Sequence, residues 1–511
     1  MKTFNKKICI ILLFSITAIS LITSCKKSFL DRKPQGEYTT GTYPYPKGSG
    51  PFDAELFAGY DLLKNYDASG SGFIAATGIR SDDADKGSTP TDGPTSAEMD
   101  NFTIIPSNGL VNDLWKGYYN VINKANIALD KIANDQDPGT PPQAKISAEA
   151  EAKFLRGYSY FMLVRLFGRI PLVDKIFADP TAQTNIPQSA SAVIYGLIET
   201  DLQFAGANLP PNWDPTKFPG RATSGAANGI LAKVYLTQQK WAMAMAAANL
   251  VIGSNQYDLT TSYTRIFGED GENSKESVFE LQALATLQEK RAYGSQFASI
   301  QGVRGTGIWN LGWGFNTPST LLEAAYEPKD PRKDRTILYS GGTSVYGEAV
   351  PLGLPNPRYN QKVHSNPAVR NAILDNFSYW MNIRILRYAD VLLMYAEAAN
   401  EVGGPANTTA ALAALNSVRE RARRGTLPAD NVLPNITTTD QPLLREAIRK
   451  ERRIELAMEH DRFFDLVRWG IAGQVLQNAG KSFVTGKHEL LPIPQAQIDI
   501  SKGVLTQNFG Y

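Results

Sequence analysis

ATSGAANGILAKVYLTQQKWAMAMAAANLVI (222–252) contains two runs of apolar and small residues with a polar turn between them. The runs, 222–238 and 241–252, have helical spacing. Ala232, Tyr235, Ala244 and Ala248 fall at offsets close to a tetratricopeptide helix-turn-helix, with small residues where the two helices cross. Such a unit cannot bury its apolar face alone, so it predicts neighbours of the same kind. Leu114, Tyr118, Ile122, Ala125 and Leu129 repeat at helical spacing, as do Ala152, Leu155, Tyr158, Met162 and Leu166. The second of these runs should stop at Gly168, with Pro171 just beyond. The expected fold class is mainly α: a tetratricopeptide-like helical-repeat scaffold with long loop-rich insertions and few short strands.

From about 258 to 380 the texture changes. Gly, Pro, Asn, Ser and aromatics dominate, and helical periodicity is brief, as at 319–326. A stretch this long is not a plain connection, so it reads as an elaborated functional insertion. Helices resume with Tyr388, Val391, Leu392, Tyr395 and Ala399, and two more follow at 407–424 and 441–459. The expected organisation is a helical region at 51–257, a loop-rich region at 258–380 and a second helical region at 381–511. In the charged helix 443–459, Arg445, Arg449, Lys450, Arg452 and Arg453 alternate with Glu446, Glu451, Glu455 and Glu459. Alternating signs predict ion-pair networks that fix helix packing, not a basic binding face.

The N-terminus carries an address. Lys2, Lys6 and Lys7 precede an apolar run, Ile8–Ile22, which reads as a secretory signal and is too short to span a membrane. Ile22-Thr23-Ser24-Cys25 looks like a bacterial lipobox, so residues 1–24 are expected to be removed and Cys25 acylated. Several acyl chains would anchor the chain to a membrane, with residues 25–50 as acylated Cys and tether. The full chain has 511 residues, 52 Lys+Arg and 50 Asp+Glu. Removing 1–24 takes away three Lys and no acid, leaving 49 bases against 50 acids. A near-neutral surface argues against a nucleic-acid partner. The two Cys, Cys9 and Cys25, both leave the thiol pool, which excludes thiol catalysis.

Several long blocks now stand together. They are SFLDRKP (28–34), FLRGYSYFMLVRLFGRIPLV (154–173), GWGFNTPSTLLEAAYEPKDPRKDRTI (312–337), RYADVLLMYAEAANEVG (387–403), ALNSVRERA (414–422), IRKERRIELAMEHDRFFDLVRWG (448–470) and KHELLPIPQAQIDISKGVLTQNFGY (487–511). Together with the lipobox they resemble the SusD/RagB family over essentially the whole mature chain. One departure is His460, where the family usually has Gly before Asp461 and Arg462. The resemblance implies a surface-exposed outer-membrane lipoprotein that captures oligosaccharides, or in some members peptides. It implies a SusC-like TonB-dependent transporter as partner, no cofactor and no enzymatic activity.

Candidate ligand residues are read from composition and loop position. Trp309 and Trp313 lie in the Gly-rich GTGIWNLGWGFN, where little core is expected, and an indole packs well on the C–H face of a sugar. Trp309 is the favoured platform, with Tyr293 and Phe297 as companions. Trp115, Trp241 and Trp469 fall inside helical patterns and are assigned to core. Asp82 and Asp83, with Asp85, resemble half of a calcium loop but lack the remaining ligands, so a solvated acidic turn is expected and no metal is assigned. The polar segment 80–101, ending at Asn101, is expected to be a long loop offering hydrogen bonds to sugar hydroxyls. His364, His460 and His488 form no HExxH, and no GxSxG elbow or P-loop occurs. A surface glycan hydrolase with paired carboxylates is the enzymatic alternative, and a helical assembly protein without a small ligand is a third.

Overall fold

The computed structural model describes residues 50–177, 182, 185–214 and 219–511. The expected signal segment, Cys25 and nearly all of the tether lie outside the described residues. The molecule is mostly helical, and its principal helices are α1 (Asp53–Lys64), α2 (Pro94–Asn101), α3 (Gly109–Ala133), α4 (Pro142–Phe167), α5 (Ser191–Asn208), α6 (Ser224–Thr237), α7 (Trp241–Gly253), α8 (Phe297–Gln301), α9 (Tyr388–Val402), α10 (Pro405–Ala422), α11 (Gln441–Glu455) and α12 (Arg462–Arg468). Local chemistry sets their ends. Asn108 accepts from Leu110 N at 3.0 Å to start α3, Thr223 from Ala226 N at 3.1 Å to start α6, and Asp440 from Leu443 N at 3.0 Å to start α11. Gly168 terminates α4 with φ 72°, a conformation an L side chain resists.

The helices stack in chain order. α3 packs on α4, α4 on α5, α5 on α6 and α6 on α7. α7 then packs on α9, and α9 on α10 and α11. The repeat stack therefore continues straight across the loop-rich stretch, which leaves after α7 and returns at α9. Ala232, Tyr235, Ala244 and Ala248 are all buried at these crossings, as the 222–252 pattern requires. Side chains no larger than Ala let two helix backbones approach closely.

Among the described residues, four two-stranded antiparallel ladders complete the fold: β1 (Ala84–Gly87) with β5 (Phe315–Pro318), β2 (Ile170–Pro171) with β3 (Gln188–Ser189), β4 (Ser277–Leu281) with β8 (Ile383–Arg387), and β6 (Ile337–Tyr339) with β7 (Arg358–Asn360). The β4–β8 ladder closes the neck of the excursion. Inside the excursion Val303, Trp309, Leu311, Leu338, Val350 and Tyr359 form a small core of their own.

The charged helix α11 turns several of its charges inward. Glu455 accepts from Arg421 at 2.5 Å, Arg387 at 3.1 Å and Arg332 at 3.2 Å. Glu451 accepts from Arg419 at 2.7 Å and also from Arg332, and Glu276 bridges Arg387 and Arg421. Burial alone would push the Glu455 carboxyl up; the three arginines outweigh it and hold it well below the usual range. The knot ties the excursion (Glu276 and Arg332) to the residue before α9 (Arg387), to α10 (Arg419 and Arg421) and to α11 (Glu451 and Glu455). Removing one member would strand buried charge.

Segment 80–101 corrects an expectation. It is not one long loop: it holds β1 and α2, separated by a short turn. Nor are Asp82 and Asp83 a solvated acidic turn. Both are buried, and Arg462 holds Asp82 through Nε at 2.8 Å and Nη2 at 3.0 Å. Arg453 Nε reaches Asp83 at 2.7 Å, and its Nη2 lies 2.9 Å from Asp82. The acids face two arginines from the C-terminal helices, a pairing with no signature in local sequence.

Candidate functional site

The excursion presents one aromatic platform whose frame is made by glycines. Trp313 N donates to Ser299 O, and Gly314 N to Gly302 O, both at 2.9 Å, so 312–314 lies flush along the end of α8. A Cβ on Gly312 would sit 2.3 Å from Ser299 O and 2.7 Å from Gly302 Cα, so only glycine permits this approach. On the other side Ser88 N donates to Gly314 O at 2.6 Å, where β1 meets β5. Held on both sides by main chain, the Trp313 indole is 42% exposed.

Polar groups lie beside its main chain. Arg304 Nη1 lies 2.5 Å from Asp92 and donates to Ser88 Oγ at 3.2 Å, and Ser88 Oγ donates to Asp92 at 3.0 Å. Asn356 Nδ2 fixes Ser88 O at 3.1 Å, and Tyr359 OH fixes Arg304 O at 3.3 Å. The Arg304–Asp92 pair is about one-third exposed on both sides, which presents donors and acceptors to solvent while cancelling charge. Lys86 Nζ caps the same turn through Thr89 O and Asp92 O, each at 2.8 Å.

Tyr293 stands at the opposite end of α8, 58% exposed. Its carbonyl accepts from Lys64 Nζ at 3.0 Å and from Leu284 N at 2.9 Å, which anchors the backbone and leaves the ring in solvent. Asn101 is exposed at the end of α2, beside Asp100, whose carboxylate accepts from Lys86 N at 2.9 Å and from Lys481 Nζ at 2.6 Å.

The remaining sequence candidates lie elsewhere. Trp309, the favoured platform, is 7% exposed and stacks on His364 at 6.0 Å and 12°, inside the small core of the excursion. The sequence expectation that this Gly-rich loop offers little core was wrong, because β6 and β7 bring Leu338 and Tyr359 against it. Phe297 points inward, with ring centres 5.1 Å from His460 and 6.4 Å from Phe73. Asp82 and Asp83 serve the arginine clamp described above. Of the candidates, Trp313, Tyr293 and Asn101 face solvent. Sequence reading missed Arg304, in GVRGTG, because a lone arginine among glycines gives no periodic or motif signal. Of the other tryptophans, Trp115 is core, whereas Trp241 and Trp469 are only half-buried.

His460 supports the platform from below. Its φ is 73°, in the left-handed region where a glycine would be least strained. Thr77 Oγ1 donates to Phe73 O at 2.6 Å, so its proton is spent. The 3.0 Å contact to His460 Nδ1 therefore requires the imidazole to carry its proton on Nδ1. Burial pushes the His460 pKa down to about 4, so the ring between Phe73 and Phe297 is neutral. Thr77 itself lies in a one-turn π-helix, Ala75–Ile79, which leads directly into the Asp82–Asp83 clamp.

A helical-repeat scaffold carries a loop-built face with an exposed aromatic, and among the described residues no group of three or more His, Cys, Asp or Glu is placed to hold a metal ion. Comparison with known proteins narrows the class. Residues 275–511 match the SusD family, and residues 76–236 match a family described as "Starch-binding associating with outer membrane". A SusD-like protein of Formosa agariphila is 30% identical over 462 residues, covering 85% of this chain and 87% of its own length. Among solved structures, a laminarin-binding SusD-like protein superposes with a TM-score of 0.74 at 29% identity, covering 90% of this chain and 99% of its own. Surface glycan-binding protein A from Bacteroides fluxus gives the same TM-score at 26% identity, over 90% of this chain and 98% of its own. The chain belongs to the SusD/RagB family.

Proposed function

We propose that this chain is a cell-surface glycan-binding lipoprotein that captures oligosaccharides and passes them to a SusC-like TonB-dependent outer-membrane transporter. The observation that carries the reading is Trp313, 42% exposed on a main chain that is hydrogen-bonded to α8 on one side and to Ser88 on the other, with the Arg304–Asp92 pair bonded to the same Ser88. The C–H face of a pyranose packs on the indole while its hydroxyls exchange hydrogen bonds with the neighbouring polar groups. Because the main chain that carries the aromatic is already fixed, little backbone entropy is lost on binding. The internally paired Arg304–Asp92 charge suits a neutral sugar. An open face of this kind binds and releases readily, which suits capture and hand-off better than turnover. The Cys25 anchor reads as the means of keeping that face at the outer membrane. The laminarin-binding relative at 29% identity makes a β-glucan the first ligand to try.

The test is calorimetric titration of residues 26–511 with laminarihexaose, maltohexaose and peptide mixtures, with Trp313→Ala in parallel and a product assay on each mixture. Saturable sugar binding without product, weakened by the substitution, supports the reading. Product formation would replace it with a hydrolase, and binding of peptides alone with peptide capture. Co-purification of a transporter barrel with the membrane-anchored chain tests the hand-off.

A further inference from the structure

A second groove lies between residues 211–213 and 219–223, the turn after α7, and the segment 273–280 that runs into β4. It encloses about 660 Å³ and shares no lining residue with the Trp313 face. That volume falls within the range of small-ligand sites. Three aromatic side chains line it: Phe279 belongs to the main core, and the other two are pinned. Trp213 Nε1 donates to Ala222 O at 2.8 Å, and the Arg221 guanidinium lies 4.1 Å from the ring centre. Tyr257 stacks on Tyr388 at 6.3 Å and 26°, with its hydroxyl 3.0 Å from Thr223 Oγ1. Amides occupy two of the walls. Asn212 Nδ2 donates to Gln256 Oε1 at 3.2 Å on an exposed rim, and Asn273 forms a reciprocal pair with Gln282 at 2.9 and 3.0 Å. Ser274 adds a buried hydroxyl with no hydrogen-bond partner among the described residues. Glu280 is the one carboxylate among the lining residues, and it is engaged by Asn382 Nδ2 at 3.0 Å and Asn273 N at 3.3 Å.

Preformed aromatic planes, neutral amides and an unsatisfied hydroxyl, without a free acid, are complementary to a neutral polyhydroxylated chain. The lining also holds two cations, Arg221, paired with Asp53 and Glu151, and Lys275, whose Nζ donates to Gln256 O at 3.4 Å; with the one carboxylate engaged, a cationic peptide finds no partner there. We infer that this groove is a second oligosaccharide-binding site, separate from the Trp313 platform; the inference rests on the glycan reading above. Two sites on different faces of one tethered chain raise retention of a long polysaccharide by raising the local concentration of the second contact.

The experiment is hydrogen exchange by mass spectrometry on residues 26–511 with and without saturating laminarihexaose, combined with calorimetric stoichiometry. Wild type, Trp313→Ala, and the rim double variant Asn212→Ala/Gln256→Ala are compared. The rim residues are surface amides bonded mainly to each other, so their removal leaves the fold intact; Tyr257→Ala is the stronger probe, with its melting curve as control. The expected result is about two sites per chain in wild type. Trp313→Ala should retain protection at 212–213, 256–257 and 273–275, and the rim variant should weaken that remaining binding about tenfold. One site per chain, abolished by Trp313→Ala and without protection in the groove, overturns the second site and leaves the platform standing. Protection in the groove alone supports the groove and overturns the platform. No protection at either face overturns both.

Discussion

The two tryptophans of GTGIWNLGWGFN give the sharpest prediction, since they share a loop and differ in fate. Trp309 is 7% exposed, so truncation to Ala removes nearly the whole buried indole. About 200 Å² of apolar surface at about 25 cal/mol/Å² corresponds to roughly 5 kcal/mol, an upper figure because the unfolded chain already covers part of it. Trp→Ala in cores costs about 3–5 kcal/mol, and Trp309→Ala should fall there. Trp313 is 42% exposed, so its truncation should cost about half as much, on the order of 2 kcal/mol. Binding should respond in the opposite order. Loss of the Trp313 stacking surface removes about 1 kcal/mol or more, roughly a tenfold weakening, whereas Trp309→Ala touches no ligand atom. The assay is thermal unfolding of both variants beside wild type, with laminarihexaose titration at a temperature where all remain folded. Trp309→Ala should melt on the order of 5 °C lower and Trp313→Ala by about 2 °C. A Trp309→Ala protein that melts like wild type yet fails to bind would refute the assignment of platform and core.

Arg462→Ala should cost about 3 kcal/mol, because it leaves the buried Asp82 carboxylate with only Arg453 nearby; denaturant titration checks this, and hydrogen exchange should loosen at 84–88. For His460 the sign follows from its pKa being pushed down to about 4 from an ordinary 6.5. The neutral ring's contribution is fully present above pH 6.5 and is lost as pH falls through 4, reaching about 3 kcal/mol. His460→Asn, which tolerates the positive φ, should flatten the stability–pH curve over that window relative to wild type; parallel curves would exclude His460 as a source of acid lability. Glu272 goes the other way: burial lifts its carboxyl to about 7, so its contribution is present below 4.5 and lost as pH rises through 7. Glu272→Gln should therefore raise the melting temperature at pH 8 more than at pH 5, and an equal shift at both would contradict the buried-acid account.

What the sequence alone determined was the scaffold and the family. Helical spacing around Leu114, Leu155 and Tyr235, the stop at Gly168 and the small residues Ala244 and Ala248 are local signals, because a helix takes its period and its ends from neighbouring residues. The clustered charges of 443–459 likewise announced a packed network, although not its partners Arg332, Arg387 and Glu276. Only the tertiary structure separated Trp313 from Trp309, since the core that buries Trp309 is assembled from Leu338, Val350 and Tyr359, which lie some way along the chain. The same holds for Asp82 and Asp83, whose arginines come from the far end of the chain, and for the groove at Trp213, whose walls belong to three separate segments. Exposure is a property of what the rest of the chain packs against a residue, and within a loop-rich stretch no periodicity carries that information in the sequence.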